Sequence, residues 1–323
     1  MKKSDIAQRW ASRFPMLAKS ALWLWVRWHM LATGQRQAPE HWFFLHLANS
    51  LGYRAPVLAK LGNGMKIRVA CNDYVGRMIL RDGFYEPETV SLIQRFLGPG
   101  KVFLDVGAHV GQYTLVASQR VGDDGQVHSF EPDPNTFRWL AGNVRRNYLQ
   151  NVHLNQAALS DEPGTKHFYF ATPQDIGSNS LSRPSNDSGR SCEVTCTTVD
   201  DYLAKKRVET VDVIKVDIEG AEYPMLKGAQ RLLSRPDKPV IIAEFEEARQ
   251  RAFGNSCAEL AELLSSHGYH LFRLDVAPLE TYVPRANDAP SFNILAVPPH
   301  KAALLADLQP TALNEAAPAS VGR

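Results

Sequence analysis

Val102-Phe103-Leu104-Asp105-Val106-Gly107-Ala108-His109-Val110-Gly111 is the stretch that decides how this chain folds. Val102–Val106 is a short, β-branched apolar run of the kind that forms a buried strand. Gly107 and Gly111 then permit a sharp turn into a helix carrying Tyr113-Thr114-Leu115-Val116-Ala117, with backbone amides left open to a ligand. The spacing Gly107-x-x-x-Gly111 is not the Gly-x-Gly-x-x-Gly dinucleotide fingerprint, which is absent from the whole chain. Asp105 sharpens the exclusion: a carboxylate at this strand end suits a ligand with a cationic amino group and repels a pyrophosphate.

Working outward, the same alternation of short strands and helical stretches predicts strands at Val102–Val106, Val127–Phe130, Val152–Gln156, Val211–Val216, Val240–Phe245, Tyr269–Leu274 and Phe292–Val297. Helices are predicted over Pro134–Asn147, with Asp133 as its cap and Phe137, Leu140 and Val144 facing inward, and over Glu222–Leu233. Such an order gives a doubly wound parallel sheet. Asp275–Ser291 is Pro-rich with no helical period, so the last two strands are expected to pair antiparallel. Upstream, Val57–Val69 reads as a hairpin around Gly62-Asn63-Gly64, and Asp73–Phe96 as helix broken at Asp82-Gly83.

Ligands of open α/β sheets bind outside the carboxyl ends of the strands, so residues at those ends are the site candidates. Glu131 ends the second strand, where a carboxylate can accept both hydroxyls of a ribose. Ala157-Ala158-Leu159-Ser160-Asp161 follows the third and would flank a base with small, apolar groups. The fourth ends in Lys215-Val216-Asp217-Ile218-Glu219-Gly220-Ala221-Glu222 and the fifth in Glu244-Phe245-Glu246, which gathers carboxylates at one place. Carboxylates near one another have raised pKa values and suit proton abstraction. Lys215, facing away from Val216, is placed to salt-bridge one of them, while Glu222 suits equally the first turn of a helix. A divalent metal held by Asp217 and Glu244 is an open option, but no histidine accompanies them and no metal ligand is assigned. Tyr202-Leu203-Ala204-Lys205-Lys206 matches the Tyr-x-x-x-Lys pair of short-chain dehydrogenases by chance, without a nicotinamide fingerprint to support it.

The 323 residues carry a formal net charge of +2, but residues 1–36 hold +6 and the remainder −4. That basic arm contains Trp10, Trp23, Trp25 and Trp28 on a predicted helix ending near Gly34, and leads to a second helix at about His41–Asn49. Two occupants suit it: a membrane face contacted peripherally, or the catalytic domain or a second copy of the chain. Packing is favoured because the apolar side chains do not segregate onto one face. No apolar run is long enough to span a bilayer. Cys71, Cys192, Cys196 and Cys257 supply neither a disulfide framework nor zinc spacing, so a cytoplasmic setting is expected, with peripheral contact to the inner membrane face as the option the basic arm leaves open.

The ordered signatures Asn72-Asp73-Tyr74-Val75, Tyr85-Glu86-Pro87-Glu88, Phe103 to Gly111, Phe130-Glu131-Pro132-Asp133-Pro134, Ala158-Leu159-Ser160-Asp161, Thr198-Val199-Asp200 and Ile214 to Glu222 resemble those of the FkbM-type methyltransferases over about residues 72–297. The resemblance implies an α/β class I methyltransferase (Rossmann-like) fold, with a seven-stranded, mostly parallel sheet and an antiparallel last strand. It divides the chain into a basic helical extension (1–55), the methyltransferase domain (56–300) and a disordered tail (301–323). S-adenosyl-L-methionine is the implied donor, and a hydroxyl of a sugar, glycan, glycolipid or natural product the implied acceptor, with no nucleic acid partner. Tyr85, Glu86, Asp105, Gly107, His109, Gly111, Glu131, Pro132, Ala158 and Leu159 are the cofactor-binding candidates, with Asp105 aimed at the donor's amino group. Asp217, Glu219 and Glu244 are the catalytic candidates. His109 stands where the family commonly has Asn, and Glu246 where it has His or Asn. An NAD(P) oxidoreductase and a non-catalytic cofactor-binding or interaction protein remain as alternative readings.

Overall fold

A computed structural model of the chain describes residues 56–70, 73–172, 176–275, 279–284 and 291–305, together with Ser20 and Leu24. Apart from Ser20 and Leu24, the expected helical extension with its Trp residues lies outside the described residues, as does Cys71; of the expected tail, residues 301–305 belong to the 3-10 helix Pro299–Leu305 and the rest lies outside the described residues. No helix among the described residues is long and apolar enough to cross a membrane.

β1 (Pro56–Lys60) and β2 (Lys66–Ala70) form the expected antiparallel hairpin, with Gly64 at φ +88° in its turn. The helices Tyr74–Asp82 and Pro87–Phe96 follow, separated where Gly83 closes the first helix in the left-handed region. The main sheet is built from β3 (Val102–Val106), β4 (Gln126–Phe130), β5 (Val152–Asn155), β9 (Val213–Val216), β10 (Val240–Glu246), β11 (His270–Arg273), β12 (Glu280–Thr281) and β13 (Ser291–Val297). Their order is β12-β11-β13-β10-β9-β3-β4-β5. The five strands from β10 to β5 run parallel, and β13 is antiparallel to both β10 and β11. All seven predicted strands are present within two residues at either end. The eighth, β12, is a two-residue addition from the Pro-rich stretch that covers the outer edge of β11.

Burial on both faces explains the near-continuous apolar strands. Phe103, Val127, Val213 and Ile242 pack under the helices Gln112–Val121 and Pro134–Arg146. Leu104, Ile214, Val216 and Ile241 pack on the other face against Val199–Lys206, Glu222–Lys227 and Cys257–Ser266. Truncating any one of these fully buried side chains to alanine costs roughly 2–5 kcal/mol. Asp133 caps the helix Pro134–Arg146 as expected, accepting from the Asn135 N–H.

Two predicted elements change. Glu222–Leu233 is not one helix but two, Glu222–Lys227 and Gln230–Leu233, because Gly228 lies where a Cβ would come 2.1 Å from the Ser160 carbonyl oxygen and the chain kinks to make that approach. The alternation in Ser191–Thr197 predicts a single strand with both thiols on one face, but the segment after the third strand forms a whole second sheet. There β6 (Ala158–Leu159) pairs parallel with β8 (Asp187–Thr197), which pairs antiparallel with β7 (Gly164–Ala171). Phe168 and Val194 are buried in it, with Cys196 beside them and the half-buried Cys192 packed against the cluster. Tyr202 is equally structural: its hydroxyl meets His128 Nδ1 at 2.8 Å and accepts from Asn155 Nδ2 at 3.0 Å.

Candidate active site

The carboxyl ends of β3, β4, β9 and β10 open into one cavity, walled on its far side by β6 and the β7–β8 connection. Gly107 starts the turn at φ +82°, with its N–H and that of Ala108 donating to the Phe130 carbonyl. A Cβ at Gly107 would lie 2.0 Å from the Asp217 carbonyl oxygen, so only glycine lets β3 and β9 close on each other here. His109, at φ +50°, lines the cavity with both ring nitrogens shielded from solvent and without a hydrogen-bond partner.

Glu131 fixes the other side of this turn. Its Oε2 accepts from the His109 N–H and its Oε1 from the Asp133 N–H, both at 2.9 Å. Burial, with the charge of Asp133, pushes its carboxyl up to about 8 against the pull of these two bonds. Each oxygen keeps a lone pair for a further donor. Pro132, Ala158 and Leu159 continue the wall beside it.

Asp217, Glu219 and Glu244 line the opposite end, and one oxygen of each lies within 4.8 Å of the others, a spacing that could hold a metal ion. Their charge states differ. Burial would raise the Asp217 carboxyl, but the buried Lys215 ammonium, with Nζ 3.2 Å from Oδ2, and hydrogen bonding with Glu244 hold it below its ordinary value. Glu244 goes well above the carboxylate range through burial and the charges of Asp217, Glu219 and Glu222. Glu219 rises to about 9 for the same reasons, with Arg249 pulling the other way.

Three expected site residues are not on the cavity wall, and each has a physical reason. Period-two alternation puts Asp105 on the sheet face of Phe103, beneath the helix Gln112–Val121. There it is fully buried, its Oδ2 accepts from Thr114 Oγ1 at 2.5 Å, and burial lifts its carboxyl to about 6. The expectation that Asp105 meets the donor's amino group is thereby corrected: it anchors the turn from below. Gly111, at φ +95°, starts that helix against Leu140. Glu86 spends its carboxylate on Tyr113, Thr89 and Asn293. Tyr85 does line the cavity, its backbone clamped by Gln112, which accepts from the Tyr85 N–H and donates to its carbonyl, both at 2.7 Å. Glu222 closes the β9 turn by accepting from the Ile218 N–H at 2.9 Å and from Gln250 Nε2 at 2.6 Å.

Sequence reasoning missed Gln112 and Tyr113, which line the cavity from the first turn of a helix, and gave Asp73, Tyr74 and Val75 no role although they line it too. Their signal was position: all flank glycine turns or helix starts.

Residues 105–271 match the family described as the methyltransferase FkbM domain. This chain belongs to the FkbM methyltransferase family. It is 25% identical over 203 residues to the 31-O-demethyl-FK506 methyltransferase FkbM of Streptomyces tacrolimicus, covering 54% of this chain and 74% of that protein. It is 27% identical over 181 residues to the hexuronic acid methyltransferase AglP of Haloferax volcanii, covering 56% and 71%. A third relative, the 2-O-methyltransferase NoeI of Sinorhizobium fredii, is 27% identical over 164 residues, covering 46% and 64%. Membership makes the chain an S-adenosylmethionine-dependent methyltransferase of class I fold, and the nicotinamide and non-catalytic readings give way to it. The residues present fit that donor: a glycine turn no side chain could occupy, a carboxylate with free lone pairs, and a histidine whose ring nitrogens await partners.

Proposed function

We propose that this FkbM-family enzyme transfers a methyl group to a hydroxyl oxygen of a sugar, glycan or polyhydroxylated natural product. The observation that supports this reading is the convergence of Asp217, Glu219 and Glu244 at the end of the cavity opposite Glu131. The relatives' names point the same way, since they include enzymes acting on a hexuronic acid and at a 2-O position.

In this reading Gly107, His109, Glu131, Pro132, Ala158 and Leu159 hold S-adenosylmethionine, and Tyr85 closes over it from the Gln112 clamp. When bound, the donor supplies an electrophilic methyl group on a positively charged sulfur. Asp217, kept ionised by Lys215, accepts a hydrogen bond from the acceptor hydroxyl and aims its oxygen. Glu244, whose raised pKa makes it the stronger base once deprotonated, takes the hydroxyl proton as the oxygen–carbon bond forms and the methyl carbon–sulfur bond breaks, with S-adenosylhomocysteine as the leaving group. Glu219 completes the set that orients the acceptor. Residues 56–300 hold all of these groups and are the catalytic unit, with residues 1–55 an appendage.

The test is transfer of labelled methyl from S-adenosylmethionine to a panel of free sugars, glycosides and polyols, with the product atom located by NMR. Label on a hydroxyl oxygen is expected. Label on nitrogen or carbon would sink the assignment. Glu244→Gln is expected to lower kcat by roughly 10²–10⁴-fold, the usual contribution of a general base, while leaving S-adenosylhomocysteine binding in place.

A further inference from the structure

Arg249 was absent from every sequence-based expectation, and it sits where three elements of the site meet. It belongs to the helix Glu247–Ala252, which follows β10 directly. Its Nε lies 2.6 Å from Glu219 Oε2 and 3.2 Å from Glu246 Oε2, and its terminal nitrogen donates to Ser178 Oγ at 2.9 Å. The guanidinium thus donates hydrogen bonds to the end of β10, through its one Nε–H to Glu246, and to the β7–β8 connection at Ser178, and it holds Glu219 of the β9 turn by charge alone. Lysine would keep the charge but present it from a single nitrogen instead of a planar fork.

The backbone around it has been shaped for this contact. Glu219 adopts φ +60°, a left-handed conformation that costs a non-glycine residue free energy and persists only where surrounding contacts impose it. Gly220 follows at φ +102°, and a Cβ there would lie 2.6 Å from the Arg249 carbonyl oxygen, so the two segments are pressed together. The Glu219 carbonyl also accepts from Ser180 Oγ at 2.9 Å. Ser178 and Ser180 are both buried, so this connection is held against Glu219 from two sides. Between these two serines, Asn179 lines the cavity, as do Gly177 and Leu181 on either side.

Resting on the reading of Glu219 and Glu244 as the acceptor end of the site, we infer that Arg249 is a positioning residue for the acceptor. It fixes the Glu219 carboxylate and, through Ser178, sets the wall formed by residues 177–181. Two cations then divide the acids: Lys215 pairs with Asp217, and Arg249 with Glu219 and Glu246. Among the described residues Glu244 has no ion-pair partner, which leaves it to exchange the proton.

The test has two arms, on Arg249→Met, Arg249→Lys and, as a milder change that removes one hydrogen bond, Ser178→Ala. Hydrogen exchange of the amides at 177–182 needs no acceptor: it is expected to quicken at least tenfold in Arg249→Met and less in the other two. Steady-state kinetics with whatever acceptor the wild type methylates is expected to show kcat/KM for that acceptor at least tenfold lower in Arg249→Met. Arg249→Lys should recover part of that loss, and calorimetric affinity for S-adenosylhomocysteine should stay within about twofold. Unchanged exchange and unchanged acceptor kinetics in a folded Arg249→Met would overturn the inference, as would a parallel loss of S-adenosylhomocysteine affinity. A wild type that methylates a non-sugar acceptor would remove the sugar assignment alone, since both arms still read Arg249.

Discussion

Lys215 Nζ lies 3.2 Å from Asp217 Oδ2, with the lysine side chain 1% exposed and the aspartate 26% exposed. The ammonium also sits 5.7 Å from the Tyr113 ring centroid, and so faces an aromatic wall on one side and the carboxylate on the other. An ion in such surroundings is tolerated only with its partner in place.

Replacing Lys215 by Met should therefore destabilise the fold by about 3 kcal/mol at pH 7, because it strands the Asp217 charge. The sign with pH follows from the direction in which each group moves. Asp217 lies below its ordinary value, so its contribution is present above the unfolded pKa of about 3.9 and is lost as pH falls through the folded one. Lys215 lies above its ordinary value despite burial, through Asp217, Glu86 and Glu244, so its contribution is lost as pH rises through its folded pKa, beyond about 10.4. Urea unfolding from pH 5 to pH 9 should show the deficit of Lys215→Met across the whole range. A deficit confined to one end would contradict the pairing.

Glu131 runs the opposite way. Its folded pKa, about 8, is above the unfolded value, so the protonated form stabilises the fold and that contribution fades as pH rises from about 4.3 toward 8. Glu131→Gln should be less stable than wild type by about 1–3 kcal/mol at pH 5, because its NH2 cannot accept the second of the two backbone N–H bonds. That deficit should shrink by roughly 2 kcal/mol toward pH 9, since each tenfold difference in proton affinity between folded and unfolded chains is about 1.4 kcal/mol and solvent entering the cavity softens the desolvation. The same variant should bind S-adenosylhomocysteine several-fold more weakly, since one accepting oxygen is lost and a hydrogen bond contributes about 0.5–1.5 kcal/mol. Thermal unfolding with and without that ligand measures both.

Gly107→Ala should abolish S-adenosylhomocysteine binding and cost about 3 kcal/mol or more, because the added methyl meets the Asp217 carbonyl at 2.0 Å on a backbone at φ +82°. Gly122→Ala is the control. Nothing lies within 4 Å of the new Cβ, but φ +67° with ψ −172° is a backbone region that only glycine enters readily, so it should cost about 1–3 kcal/mol through strain and leave binding alone.

The strand ends carrying Gly107, Glu131, Ala158, Asp217 and Glu244 are legible in the sequence because period-two burial and glycine placement are local properties. Asp105 is misplaced by its motif because the same alternation that makes β3 a strand turns its side chain under the helix, and a motif alone does not say which face the ligand sees. β7 escapes notice because Gly164–Ala171 buries chiefly Phe168 and Ala171 and shows no strong alternation. Arg249 is invisible for a different reason: its partners Glu219, Glu246 and Ser178 come from three separate elements, up to 71 residues away in the chain.

His109 tests how much of that turn is conformation and how much is chemistry. At φ +50° a histidine is tolerated, asparagine is more at ease and a β-branched residue is strained. Its two ring nitrogens are shielded from water without partners, a cost that a bound ligand could relieve. His109→Asn should thus stabilise the ligand-free protein by a few tenths to about 1 kcal/mol while keeping the His109 N–H bond to Glu131, which belongs to the backbone. His109→Val should lose about 1–2 kcal/mol from the strained turn. If the ring contacts the donor, S-adenosylhomocysteine will raise the melting temperature of wild type and His109→Asn alike and that of His109→Val much less. Equal ligand-induced increases in all three would show that the ring makes no such contact and that position 109 serves the turn alone.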